Sequence, residues 1–238
     1  MANPKRRAQI AEAAMELFDE RGYHATGMED IATAVGMRAS SLYNHYGSKQ
    51  EVLADIAISS MEALLRFHAT GYSPMRTSAD KLYASMKYHT IFHAEQARRA
   101  RIVNNEIRAL QEPTRSIVVQ MRRDYVARWM AIVREGIDSG VFVADDVKIV
   151  SWALIDMGIG VSQWYADGGR LTSEELGDMY GRIALRQLCK PGTATETNTA
   201  TQPGIAPDTQ PGTADAQPGT SPDAEKEPAG ETAGSADS

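Results

Sequence analysis

Apolar residues recur at spacings of three and four along residues 1–191, broken only where glycine or proline falls, and no stretch alternates apolar with polar as a half-buried strand does. That periodicity fixes the fold class as all-α, with about nine helices. The first is expected over 6–20, with Ile10, Ala13, Ala14, Leu17 and Phe18 on one face and Gly22 just past its end. Thr26 precedes Glu29 by three residues, the spacing of a capping box, and opens a short helix ending at Gly36. A third short helix covers 39–45. Ser48 and Glu51 repeat the box and open a long helix toward Phe67, broken by Thr70-Gly-Tyr-Ser-Pro74. Five more are expected over 78–93, 96–110, 113–140, 145–165 and 173–189.

Charge separates the end of the chain from the rest. The 238 residues carry a formal net charge of −6, but 192–238 alone holds eight acids against the single base Lys226. The acidity therefore belongs to that tail and does not argue against a nucleic-acid partner for the remainder. The tail is rich in Pro, Gly and Thr, repeats Gln-Pro-Gly, and has no aromatic residue. Such composition cannot bury enough apolar surface to offset its ordering entropy, so the tail is expected to be disordered, acting as a solvating spacer or a partner-binding segment. One cysteine, Cys189, excludes an intrachain disulfide framework and any multi-cysteine zinc site. No apolar run approaches the ~18 residues of a membrane-spanning helix. Met1-Ala-Asn-Pro-Lys-Arg-Arg leads straight into amphipathic sequence, so the expected location is the cytoplasm.

The informative stretch is 26–49. Two short helices joined by a tight glycine turn make a helix-turn-helix. Ala32 and Val35 are small enough for close crossing, Gly36 reverses the backbone and Leu42 points inward. Arg38, Ser40, Ser41, Tyr43, Asn44 and His45 are then available to a DNA groove. The competing reading is an ordinary helical hairpin with a wet face. Lys5, Arg6 and Arg7 form a basic cluster before the first helix. It is either a phosphate or minor-groove arm or a solvated terminus.

From Ala8 to Leu53 the sequence resembles the TetR family of bacterial transcription regulators. The matching elements are Ile10-x-x-Ala-Ala-x-x-Leu17-Phe18, Gly22-Tyr-x-Ala-Thr26, Asp30-Ile-Ala32, Gly36-Met, Leu42-Tyr43-x-His45-Tyr46 and Ser48-Lys49-x-x-Val52-Leu53. The resemblance implies a homodimer that binds a palindromic double-stranded DNA operator, with a DNA-binding head at 1–50 and a ligand-binding and dimerisation body at 51–191. It implies a phosphate-touching cap at Thr26, base and backbone contacts from Ser40, Ser41, Tyr43, Asn44 and His45, and a phosphate contact from Lys49. Arg38 departs from the serine often found there. It cannot accept a capping bond and is free to reach a guanine or phosphate.

In the body, His89, Phe92, Tyr125, Trp129 and Trp152 are the candidate ligand-binding residues, set among apolar faces that are otherwise plain core. His89 and His93 lie four apart, as a chelating pair would, with Glu106 the nearest third candidate; a two-histidine set falls short of a zinc site, and no metal or other cofactor is expected. The arginines of 113–140 read as a solvated face. The stretch Val161-Ser-Gln-Trp164-Tyr165 through Tyr180 resembles a TetR subgroup that regulates fatty-acid and steroid catabolism and often senses acyl-CoA thioesters. Ile155 and Ile159 put no cation on the inward side of that helix, so an anionic ligand would be met by Arg98, Arg99, Arg101 or Arg108; a neutral lipophilic ligand is the other option. Trp164, Leu176, Met179, Tyr180, Ile183, Leu185 and Leu188 are candidates for the dimer interface, with glycines 158, 160 and 177 allowing close approach. The expected function is a ligand-released repressor. The alternative is an all-helical carrier or enzyme without a DNA role, but the sequence contains no nucleophile elbow, phosphate loop, paired-carboxylate motif or metal cluster.

Overall fold

A computed structural model describes residues 3–72 and 75–190; the tail at 192–238 lies outside the described residues. These residues form nine α-helices: α1 (Pro4–Arg21), α2 (Met28–Ala34), α3 (Ala39–Tyr43), α4 (Lys49–Tyr72), α5 (Ser78–Glu95), α6 (Ala97–Asn105), α7 (Thr114–Asp138), α8 (Val147–Trp164) and α9 (Ser173–Leu188). A 3₁₀ turn at Ile107–Ala109 follows α6. The only pairing of strand type among the described residues is an isolated bridge between Phe142 and Cys189.

The helix ends follow local chemistry. Asn3 caps α1 by accepting from the Lys5 N–H, and Pro4 sits at the first helical position. Lys5, Arg6 and Arg7 thus belong to the first turn of α1 and not to an extended arm. Thr26 does not cap α2. Its side chain is buried and donates to the Leu17 and Gly22 carbonyls, so the capping position moves on to Gly27, whose N–H is accepted by Asp30 at 2.7 Å. Helix α4 extends into the expected break Thr70-Gly-Tyr-Ser-Pro74 as far as Tyr72, and Ser73 and Pro74 lie outside the described residues. Gly71 serves packing there: a Cβ would lie 2.0 Å from the Tyr88 ring of α5.

Helix α5 is the axis of the body, packed by α4, α7, α8 and α9. It buries Leu82, Met86, His89, Ile91, Phe92 and His93. Helix α9 lies close along it because Gly177 and Gly181 leave room for Ile91 and Tyr83. This corrects the expected dimer surface. Leu176 and Leu188 are buried within their own chain, and Gly158 and Gly177 accommodate His89 and Ile91 of α5. Of glycines 158, 160 and 177, Gly160 alone faces open space. Trp164 and Met179 are exposed, while Tyr180, Ile183 and Leu185 are half-buried.

Candidate nucleic-acid interface and body cavity

The turn between α2 and α3 is built by Gly36, whose φ of 65° lies in the left-handed region. Gly36 N–H donates to Thr33 O at 3.0 Å and Met37 N–H to Ala32 O at 2.8 Å, which closes the helix with a reversal that a side-chain-bearing residue adopts with strain. Ile31, Ala32, Leu42 and Tyr46 bury the inner side of the pair. On the outer side Arg38, Ser40, Tyr43 and Asn44 are exposed and Ser41 is half-buried. Arg38 occupies the N-cap position of α3 without a side-chain capping bond, while its carbonyl accepts from Ser41 and Leu42. The structure therefore leaves five of the eight sequence-predicted DNA residues wholly or partly accessible, away from Leu42 and Tyr46.

The other three are used differently. Thr26 points inward, as described. Lys49 Nζ donates to the carbonyls of Tyr23 at 2.7 Å and Thr26 at 2.6 Å and lies 4.3 Å above the Tyr23 ring, so the ammonium ties the loop before α2 to the start of α4. His45 is half-buried, and its carbonyl accepts from Arg7 at 2.6 Å. Arg7 is an internal staple. Its guanidinium stacks 3.9 Å from the Tyr46 ring centroid and pairs with Glu51 at 3.1 Å and Asp55 at 3.3 Å, and Tyr46 also donates to Asp55. Arg7→Ala is therefore expected to lower head stability by about 1–2 kcal/mol. It should leave the slope of operator affinity against salt concentration unchanged, since a lost phosphate contact would reduce that slope by about one. Unfolding and salt-titrated gel shifts on the same variant measure both.

The body contains a narrow cavity of about 50 Å³ lined from α4, α5, α6, α7 and α8. His89, Phe92 and Tyr125 line it as expected, and Trp152 stands at its mouth, 38 % exposed. Trp129 does not line it. That indole is fully buried beside the rings of His68, His89 and Tyr125, where it forms part of the wall behind the cavity. Ser60, Met61 and Leu64 of α4, Val103 and Asn104 of α6, and Arg122 of α7 also line it and are not among the candidates read from sequence. The α4 and α6 contributions had a readable sign, apolar residues at helical spacing. Arg122 had none, because an arginine on a charged helix reads as solvated.

Hydrogen bonds define the tautomer of His89. The Ile155 carbonyl, 3.0 Å from Nε2, can only accept, so Nε2 carries the proton and the Tyr125 hydroxyl donates to Nδ1 at 2.9 Å. His93 likewise donates from Nδ1 to the His89 carbonyl at 2.8 Å. Both His89 nitrogens are thus committed to hydrogen bonds within the protein, and neither is left to chelate with His93. Glu106 is elsewhere, accepting from the Tyr23 N–H at the head. Burial lowers the pKa of His68 and of His93 to about 4 and that of His89 well below its ordinary value. The approach of His89 to α8 depends on Gly158, where a Cβ would lie 2.2 Å from His89 Cδ2. Gly158→Ala is expected to displace the ring, break the bond to Ile155 and destabilise the fold by on the order of 3 kcal/mol, read as a fall in melting temperature.

Helix α6 links cavity to head. One side lines the cavity through Arg99, Ala100, Val103 and Asn104. The other is ion-paired to α1: Arg98 with Glu12 and Glu16, and Arg101 bidentate to Asp19 with a third bond to the Ser162 carbonyl at 2.6 Å. Gln50 adds a bridge from α4 to Tyr23 and to Ala109. Arg98, Arg101 and the exposed Arg108 thus do not line the cavity as anion ligands; of the four arginines expected in that role, only Arg99 does.

Comparison with known proteins follows this division. Residues 10–56 match the family described as bacterial regulatory proteins, tetR family, and residues 75–188 match the tetracyclin repressor-like C-terminal domain. The chain is 27 % identical over 191 residues to the HTH-type transcriptional repressor KstR2 of Mycobacterium tuberculosis strain H37Rv, covering 79 % of this chain and 94 % of the relative. Among solved structures, a tetR-family regulatory protein from Rhodococcus RHA1 superposes with a TM-score of 0.74 at 26 % identity, covering 79 % of this chain and all of that one. The ketosteroid transcriptional regulator KstR2 of M. tuberculosis superposes with a TM-score of 0.73 at 26 % identity, covering 79 % of this chain and 97 % of that one.

Proposed function

Since this chain belongs to the TetR family of bacterial regulatory proteins, we propose that its α2–turn–α3 unit reads one half of a palindromic operator and that its cavity holds the small molecule that releases it. The protein is a DNA-binding transcriptional repressor and not an enzyme. The observation that carries the proposed interface is the exposed side of α3. Arg38, Ser40, Ser41, Tyr43 and Asn44 stand clear of the core there, while Leu42 and Tyr46 anchor the helix from behind. Residues 1–50 act as the head and 51–191 as the ligand-binding and dimerising body. No helix among the described residues is long and apolar enough to cross a membrane.

One head spans only a few base pairs, so selective binding needs two heads about one DNA turn apart. Exposed Trp164 on α8, and exposed Met179 with half-buried Ile183 one turn further along α9, supply apolar surface for a second copy. The ligand reading, a lipophilic or acyl-CoA-like molecule, rests on the apolar cavity lining and on similarity to a protein described as a ketosteroid regulator. Release requires the ligand to favour the conformation that does not bind DNA, because equal affinity for both conformations shifts nothing. Selection of genomic fragments on the purified protein tests the reading. Enrichment of a short inverted repeat is expected, and uniform retention of all fragments contradicts it.

A further inference from the structure

Arg122 is a feature of the cavity that an apolar ligand leaves unexplained. It lies in the lining between α6 and α7, and its hydrogen-bond acceptor is the uncharged Asn104 Oδ1 at 3.1 Å. Among the described residues no carboxylate lies within ion-pair distance of it, although Asp156 acts on it from farther away. Burial lowers its pKa from the ordinary value, the direction expected of a charge held away from water. Most of the chamber it lines is apolar, formed by Met61, Leu64, Phe92, Val103, Val126 and Ile155, with Ser60, His89, His93, Asn104 and Tyr125 as uncharged polar members. A neutral ligand would remove still more water from this guanidinium and supply nothing in return. An anionic group would supply the missing counter-charge, in a setting where arginine holds carboxylate or sulfonate oxygens through two parallel bonds. A second guanidinium, Arg99, belongs to the same lining. Its own partner, Glu12 of α1, is 3.6 Å away at the rim, and Arg99 also borders a polar groove against α1.

We propose that the cavity, widening from its closed volume of about 50 Å³ as a ligand enters, selects an amphipathic anion, its apolar body among Met61, Phe92 and Ile155 and its charged group on Arg122 with Arg99 beside it. This rests on the cavity being the effector site. It makes Arg122 a specificity-determining residue, separating anionic ligands from neutral ones of the same shape.

Two fluorescent probes with one skeleton test the assignment: 8-anilino-1-naphthalenesulfonate and N-phenyl-1-naphthylamine, which lacks the sulfonate. The full-length protein should bind the sulfonate at least tenfold more tightly. Arg122→Met and Arg122→Gln should bring the two affinities within about twofold of each other while the neutral probe still binds, and Arg122→Lys should keep part of the preference. Equal affinities in the unaltered protein, or a preference that survives in both Arg122→Met and Arg122→Gln, overturns the proposal. Scoring DNA retention on the same unaltered sample separates the two claims. Selective retention without a probe preference removes the anion assignment alone, whereas absent retention removes the regulator reading beneath it.

Discussion

Replacing Arg38, Tyr43 and Asn44 together by alanine is expected to weaken operator binding by on the order of a thousandfold, taking about 1–3 kcal/mol for each lost base contact. All three side chains are exposed, and none supports the helix pair. The anchors are Leu42 and Tyr46, and the turn is held by the backbone bonds of Gly36 and Met37. Thermal stability should therefore stay within about 0.5 kcal/mol of the unaltered protein, because Arg38 and Asn44, at the two caps of α3, contribute backbone groups there and Arg38 makes no side-chain capping bond. Gel shifts on the selected operator and a melting curve on the same sample provide the two readings. A loss below tenfold contradicts the assignment of α3 to the groove. A loss accompanied by melting of the head would show that the three residues act on the fold.

Acid is expected to destabilise the body well before its carboxylates titrate. His68 and His93 have pKa values lowered to about 4, and His89 is lowered further, in each case chiefly by burial. In the unfolded chain a histidine titrates near about 6.5, so between that pH and about 4 the unfolded state binds protons that the folded state refuses. Stability contributed by the neutral histidines is complete above pH ~6.5 and falls as pH drops, by up to about 1.4 kcal/mol per pH unit for each residue. Denaturant unfolding at pH 7, 6 and 5 measures the slope. His93→Phe should flatten it, because the ring lies among Phe92, His89 and the cavity wall and takes no ion-pair partner there. A flat profile from pH 7 to 5 would contradict the burial of neutral imidazoles.

The sequence was legible where a residue type has one physical use. Gly36 and Gly140 end helices because left-handed backbone favours glycine, and both have positive φ. Leu42 at the centre of a polar helix could only point inward. The reading failed where one residue type has several uses. Thr26 and Lys49 are polar residues at the rim of the head, yet one bonds two carbonyls in the interior and the other bonds two across a loop. Arg7 and Arg122 illustrate the same ambiguity from opposite sides: a basic residue near the chain start is an internal staple, and one on a charged helix reaches a cavity. Glycines 158 and 177 are legible as close-approach sites, but spacing along the chain cannot say whether the approaching helix belongs to the same copy. Here the neighbour is α5.

In the proposed operator complex two identical heads, carried by paired bodies, engage one face of the duplex on successive turns. A ladder of operators with base pairs inserted between the half-sites tests it most directly. Inserting about five base pairs, half a turn, should abolish binding by placing the second half-site on the opposite face of the DNA. Affinity that is indifferent to that insertion, or one protein chain bound per operator, would contradict the account.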